Sequence, residues 1–321
     1  MTLFEQIKAM PKVDMHINLT SSISTDLAFD LSDDTNMAEI ISKMQEKNAL
    51  EYVNALKLPV KILKTGKNII LAINDLIDKL ISNNVIYGEL FLDLTLYNHR
   101  IDVEKVLNLI LSVITDRKMD LQVVLVASSK CEKEENLRIL ELFEKYYGKG
   151  VNGIYFSKDK MDNLANHMYL FDRLIRNNYS YIINMNSKIT REEKEVYLHA
   201  KRVIYSLDTR DDSIISELMA NDVMLEFAVT RFYENNLFSD YKDYFIYDLI
   251  KDNIKLTIVS ADMTTLNTDI INEWCLLFNN YPLVLHDMLR VIGYNLSKVN
   301  VDIETRNRLI EEFKSKSNLI L

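Results

Sequence analysis

Pro11-Lys12-Val13-Asp14-Met15-His16-Ile17-Asn18-Leu19 is a short apolar stretch near the start of the 321-residue chain. Residues two positions apart in a β-strand point to the same side, so His16 and Asn18 would face one site together. Two histidines in this arrangement could bind a metal, but the amide oxygen of Asn18 is a poor zinc ligand. A lone histidine in an apolar strand is more often a hydrogen-bonded structural residue than a ligand. The role of His16 therefore depends on which other residues of the chain lie near it.

Similar apolar runs, rich in β-branched and aromatic residues, recur along the chain and alternate with segments of helical periodicity. Together the eight runs span Val13 to Leu19, Val85 to Leu92, Leu121 to Ala127, Val151 to Phe156, Tyr181 to Met185, Arg202 to Ser206, Val223 to Val229 and Leu256 to Ser260. Eight strands that alternate with helices predict an α/β fold, a parallel (β/α)8 TIM barrel, with its site at the carboxyl ends of the strands. A doubly wound open sheet is the alternative.

The connection after the first strand is long and has helical periodicity of its own. We interpret residues 20–84 as a helical lid inserted after strand 1, because long βα connections at the top of a barrel usually cover its mouth. Residues 302–321 are predicted to form a C-terminal helix and tail. No interior linker separates these parts, so residues 1–321 are predicted to form a single domain.

Composition excludes several classes of function. Lys and Arg number 38 against 47 Asp and Glu, a net charge of −9, and the chain lacks the basic stripe that nucleic-acid binding requires. No apolar run approaches the ~18 residues that a membrane helix needs. The start of the chain has no secretory signal pattern, and Cys131 and Cys275 form no metal-type or disulfide spacing. We therefore expect a cytoplasmic protein that binds neither nucleic acid nor a membrane.

Family resemblance becomes visible in several motifs, which together cover almost the whole chain. Pro11 to Ser21 resembles P-K-x-D/E-L-H-x-H-L-D-G, the opening strand of the adenosine deaminase family. Tyr87 to Leu92 resembles the second strand of that family, Y-x-E-x-R-F, and Leu50 to Thr65 resembles its lid helices. Ile292 to Ser297 is similar to the L-x-R-N-S stretch that precedes the last acidic helix. The resemblance implies a barrel of the metal-dependent hydrolase superfamily.

The family's zinc ligands and proton donor are mostly replaced when its motifs are transferred by position. Asn18 lies at the second histidine of the opening motif and Thr20 at its aspartate. The H-A-G-E motif, which supplies a zinc ligand and the glutamate that protonates the purine, falls on Asn184 to Ser187. An amide or a serine cannot replace these groups, and losing one proton-transfer group typically costs ~10²- to 10⁴-fold in rate.

Other active-site positions of the family are altered as well. Tyr205 takes the place of the histidine that orients the attacking water, and Lys158 that of a glycine whose amide meets the substrate. Asp262 keeps the aspartate ligand of zinc, while Met263 replaces the acidic residue after it. His16 and Asp262 are thus the only ligands the resemblance leaves for zinc, and no metal or other cofactor is predicted. Without the metal, we expect Asp262 to pair with His16 directly or through water.

Three hypotheses follow. The preferred one is a catalytically inactive pseudoenzyme that binds a purine nucleoside or a protein partner. The second is an enzyme with altered chemistry that uses His16, Asp262, Tyr205 and a lysine, Lys158 or Lys188. The third is an active deaminase or related hydrolase with relocated metal ligands, which would have to come from the four remaining histidines: His99, His167, His199 and His286.

Overall fold

Eight parallel strands form a barrel in the computed structural model, in the order β1 to β8 along the chain. The strands are β1 (Lys12–Asn18), β2 (Val85–Leu92), β3 (Leu121–Ser128), β4 (Val151–Ser157), β5 (Tyr181–Met185), β6 (Arg202–Tyr205), β7 (Met224–Phe227) and β8 (Leu256–Ile258). The segment after β8 meets β1, where Asn18 N donates to Ala261 O and Ala261 N donates to His16 O, both at 2.9 Å. The predicted (β/α)8 barrel is confirmed, and the doubly wound alternative is wrong.

The structure describes residues 1–33, 36–45, 52–97, 102–159, 162–185, 187 and 189–318. Its helices are α1 (Leu3–Ala9), α2 (Thr25–Leu31), α3 (Met37–Met44), α4 (Tyr52–Ala55), α5 (Lys57–Ile62), α6 (Gly66–Ser82), α7 (Val103–Arg117), α8 (Lys133–Tyr146), α9 (Met168–Arg176), α10 (Lys194–Leu198), α11 (Asp212–Ala220), α12 (Val229–Glu234), α13 (Ile246–Lys251), α14 (Ile270–Asn280), α15 (Leu285–Lys298) and α16 (Ile303–Asn318). None of the helices within these ranges is long and apolar enough to cross a membrane.

The helix α6 shows how local sequence sets an element of the outer ring. Its N-cap, Thr65, accepts a hydrogen bond from the backbone N–H of Asn68, which satisfies one of the unpaired donors of the first turn. Ile69, Ile73 and Leu76 lie on one face and are buried. This apolar stripe packs the helix against the barrel, because helical residues three or four apart share a face.

The helices α2 to α5 lie between β1 and α6, where the sequence predicts a lid. Ser24, the N-cap of α2, donates from both its backbone N and its Oγ to the carboxylate of Asp75 on α6. This contact anchors the start of the insertion to the outer ring. A lid function for these helices stays a prediction, although Tyr52 and Val53 of α4 line a cavity at the barrel mouth.

Candidate ligand site at the barrel mouth

Two cavities lie at the carboxyl ends of the strands. The first, of about 280 Å³, is lined on one side by insertion residues, including Tyr52, Val53 and Leu56. The second, of about 300 Å³, extends toward β4 and β5. Both are lined by His16, Tyr155, Ser157 and Arg231. These shared walls make the two cavities neighbouring parts of one mouth.

His16 lies at the centre of this mouth and is 4% exposed. Its Nδ1 is 2.5 Å from Oε1 of Glu226, a residue of β7. Phe91 stacks on the imidazole nearly in parallel, with ring centroids 3.6 Å apart, and Tyr155 packs edge-on at 5.9 Å. The Nε2 atom is buried and has no hydrogen-bond partner among the residues that the structure describes.

A buried ionic network holds Glu226 from below. Arg202 donates from Nε to Glu226 at 2.5 Å, and from its other end to Glu89 Oε2 at 2.9 Å and to the Met15 carbonyl oxygen at 2.6 Å. Burial alone would raise the pKa of Glu226, but the charges of His16 and Arg202 outweigh it and hold that pKa below its ordinary value. Glu226 is therefore a carboxylate at neutral pH.

Asp262 is satisfied by four groups, none of which is His16. Its Oδ1 accepts hydrogen bonds from Asn18 Nδ2 at 2.7 Å, Ser21 Oγ at 2.5 Å and the Tyr52 hydroxyl at 3.0 Å. The Arg231 guanidinium forms an ion pair with Oδ2. Burial opposes ionisation, yet Arg231 and Ser21 bring the pKa of Asp262 below its ordinary value.

The direct pair expected between His16 and Asp262 is therefore wrong, while a pair through water stays a prediction. Each side chain bonds instead to a group that the motifs did not point to, the Glu226 carboxylate for His16 and the Arg231 guanidinium for Asp262. Glu226 gave a signal that could have been used, since it is the only charged residue in the apolar run from Val223 to Val229. Arg231 gave none, because it lies two residues beyond that run, on the short helix α12.

Asn184 and Lys158 are in contact through hydrogen bonds between the Asn184 side chain and the Lys158 main chain. The Asn184 amide accepts from the Lys158 backbone N–H and donates to the Lys158 carbonyl oxygen, both at 2.8 Å. The Lys158 ammonium group is buried and lies 3.4 Å from Glu193 Oε1. Both residues line the second cavity. The amide of Asn184 thus fixes the loop after β4 at the edge of the cavity.

The remaining predicted positions are scattered around the mouth. Thr20 lines the first cavity. Tyr205 and Met263 are buried and line neither cavity, and the Tyr205 hydroxyl instead donates to the Thr209 carbonyl oxygen and accepts from the Asp211 N–H, both at 3.0 Å. Ser187 is half-buried and lines neither cavity. Asn186 and Lys188 lie outside the described residues.

The histidines proposed as relocated ligands do not converge on the mouth. His167 packs against Phe156 with ring centroids 5.0 Å apart, while His199 and His286 are exposed. None of these three lines either cavity. His99 lies outside the described residues. The hypothesis of relocated ligands therefore gains no support from the described histidines.

Comparison with known proteins places the chain in a family. The family model for adenosine deaminase matches residues 11–316. The chain belongs to the adenosine deaminase family. An adenosine deaminase of Clostridium kluyveri is 22% identical over 345 residues, an alignment that covers 100% of this chain and 98% of the relative.

Solved structures share the fold of this adenosine deaminase family member at low identity. The apo N6-methyl-AMP deaminase of Arabidopsis thaliana has a TM-score of 0.85 and 15% identity, covering 98% of this chain and 99% of that one. The Arabidopsis ADAL protein in complex with IMP also has a TM-score of 0.85, with 16% identity and coverage of 99% and 100%. A further ADAL structure contains GMP, with a TM-score of 0.84 and 16% identity over 97% of this chain and 98% of that one.

The residues at this mouth do not fit the zinc that the family implies. A zinc site needs several deprotonated donors directed at one point. Asp262 is instead paired with the guanidinium of Arg231, and Asn184 is used by the main chain of Lys158. Of the donors at the transferred ligand positions, only His16 Nε2 is without a partner in the described parts of the chain, and no group of three or more His, Cys, Asp or Glu there could hold a metal.

Proposed function

We propose that this adenosine deaminase family member is a pseudoenzyme that binds a purine nucleoside or nucleoside monophosphate at the barrel mouth. It does not deaminate the ligand by the zinc route of its family. The observation that carries this proposal is the ion pair between Arg231 and Asp262. A guanidinium is always charged and cannot become a ligand, so it neutralises the surviving carboxylate and repels a metal cation from it.

The shape and chemistry of the mouth support ligand binding. Each cavity is near the lower end of the ~300–1,000 Å³ that is usual for small-molecule sites, and the shared walls let one ligand extend through both. Phe91 and Tyr155 supply aromatic surface, and His16, which lines both cavities, has a buried Nε2 atom without a partner among the described residues. Purine nucleotides bound to the Arabidopsis relative support the choice of ligand class.

A cytoplasmic location is part of the same proposal. Cys131 and Cys275 are both free thiols in the structure. Unpaired cysteines are usual in reducing compartments and less so in secreted proteins, where disulfides form and persist.

The test uses the full chain purified without added metal or chelator. Elemental analysis gives the zinc content, absorbance reports deamination of adenosine and AMP, and calorimetry measures binding of adenosine, inosine, AMP and IMP. We expect zinc well below one atom per chain, no deamination, and saturable binding of at least one purine. Stoichiometric zinc with turnover contradicts the pseudoenzyme proposal, and failure of all four purines to bind contradicts the ligand proposal.

A further inference from the structure

His16 has one ring nitrogen that is fully paired and one that is not. The Nε2 atom is buried and has no partner in the described ranges, and the residue lines both cavities. A buried polar atom without a hydrogen bond costs ~1–3 kcal/mol, so such an atom in a cavity wall indicates a group that arrives with a ligand.

The hydrogen bond at Nδ1 determines what Nε2 can do. Glu226 is ionised and its Oε2 already accepts from Arg202, so Oε1 can only accept from His16. The Nδ1 atom must then carry the proton of this short contact. When the imidazole is neutral, Nε2 is left as a hydrogen-bond acceptor on a residue that lines both cavities.

The ring is also fixed in direction. Phe91 covers one face in a parallel stack and Tyr155 contacts the ring at 5.9 Å, so rotation of the imidazole would break both contacts and the bond to Glu226. A preorganised acceptor of this kind favours a ligand that supplies a donor at one particular position, because little order must be created on binding.

We propose that His16 Nε2 is the anchor of the bound ligand and accepts a hydrogen bond from an amino or hydroxyl group of a purine nucleoside. This inference rests on the proposed function and adds the chemistry that selects the ligand.

The test combines a residue change with a series of ligands. His16→Phe keeps an aromatic ring for Phe91 to stack on, leaves Glu226 paired with Arg202, and removes the acceptor. The matched control is His167→Phe, because His167 also has a buried nitrogen without a described partner and aromatic neighbours but lines neither mouth cavity. The ligands are adenosine, purine riboside, which lacks the amino group, and the 2′-, 3′- and 5′-deoxyadenosines.

We expect His16→Phe to weaken adenosine binding by about tenfold to a hundredfold and His167→Phe to leave it unchanged. For the native protein, one analogue should bind more weakly than adenosine by a similar factor. For His16→Phe, that analogue and adenosine should bind equally well, and the group missing from the analogue is then the donor to Nε2. If adenosine binds the native protein and His16→Phe equally well, the anchor is wrong while the proposed function stands. If the native protein binds no purine, both fail.

A direct readout does not depend on the variant folding. In native protein with ¹⁵N-labelled histidine, the Nδ1 signal should be that of a protonated nitrogen before ligand is added, and only the Nε2 signal should respond strongly to adenosine. A strong response of Nε2 to Zn²⁺ alone, with none to adenosine, overturns the proposal.

Discussion

Arg231 and Asp262 form an asymmetric pair, because the side chain of Asp262 is 1% exposed and that of Arg231 is 32% exposed. Arg231→Met leaves a buried carboxylate without its counter-charge, which typically costs ~3–5 kcal/mol. Asp262→Asn leaves an arginine that water can still reach, and we expect that cost to be clearly smaller. Urea unfolding of the two variants and of the double variant measures the difference. Equal losses in the two single variants would contradict this asymmetry, and a loss in the double variant equal to the sum of the single losses would mean that the pair does not stabilise the mouth.

The ion pair of Arg231 with Asp262 should also determine whether the mouth could hold zinc if the side chains of the family were restored. A variant with Asn18→His, Asn184→His, Tyr205→His and Ser187→Glu restores side chains at the transferred positions. We expect it to bind no zinc while Arg231 is present, because a cation beside Asp262 repels a second one. Adding Arg231→Leu should permit binding, measured by calorimetry with Zn²⁺. The fourfold variant is the matched control for the fivefold one, and equal zinc binding by both would show that Arg231 does not determine metal exclusion.

Residue contacts at the mouth were the hardest part to predict from sequence. The positions of His16 and Asp262 followed from motifs, but their partners did not. Asn18 meets Asp262 across 244 positions of the chain, and His16 meets Glu226 across 210. Such contacts depend on barrel register and on side-chain rotamers, which periodicity does not encode. Tyr205 illustrates the limit, since it lies within the predicted strand but turns its hydroxyl to the main chain of residues 209 and 211.

The strands were predictable for a physical reason. Strands of a parallel barrel are buried on both faces, so they appear in sequence as continuous apolar runs rich in β-branched residues. Tyr181 to Met185 matches β5 residue for residue, whereas Val223 to Val229 overestimates β7 at both ends. The excess at its carboxyl end arises because Val229 is the first residue of α12, whose own apolar residues are buried. An apolar residue at a strand end does not distinguish a strand from the helix that follows.

The insertion contacts the barrel through Tyr52, the first residue of α4. Its hydroxyl donates to Asp262 at 3.0 Å, and its ring lies 5.1 Å from the guanidinium carbon of Arg231. Removing the hydroxyl in Tyr52→Phe keeps the ring contact but loses a hydrogen bond to a charged group, worth ~1.5–3 kcal/mol. We expect hydrogen exchange in residues 52–62 to become about tenfold faster or more, measured by mass spectrometry.

Tyr205→Phe is the matched control for this change. It removes another tyrosine hydroxyl that forms hydrogen bonds, but the Tyr205 hydroxyl has no described contact with the insertion. Its exchange in residues 52–62 should stay at the native rate. If Tyr52→Phe exchanges at that rate too, the hydroxyl does not hold α4 and α5 over the mouth, and the lid prediction loses its main support.

At the scale of the whole molecule, several carboxyl groups are buried with different consequences for stability. Glu226 and Asp262 have lowered pKa values because guanidinium and other charged or polar partners surround them. Asp14 and Glu273 are buried and form no salt bridge with the described residues, and burial raises the pKa of each to about 7. Serine and threonine hydroxyls are their side-chain hydrogen-bond partners. The first pair favours the folded state at neutral pH, and the second pair opposes it.

The sign of the resulting pH dependence follows from proton binding. Between the ordinary carboxyl pKa and about 7, the unfolded chain has released the protons of Asp14 and Glu273 while the folded chain retains them. The free energy of unfolding should therefore fall as pH rises from 5 to 7, by up to about 1.4 kcal/mol per pH unit for each group.

Glu273→Gln keeps a neutral side chain of the same shape and should remove the contribution of one group from this slope. Asp26→Asn, at an exposed position on α2, is the control and should leave the slope unchanged. Urea unfolding at pH 5, 6 and 7 measures all three proteins, and an equal slope in native protein and Glu273→Gln would show that Glu273 is already ionised in the folded barrel.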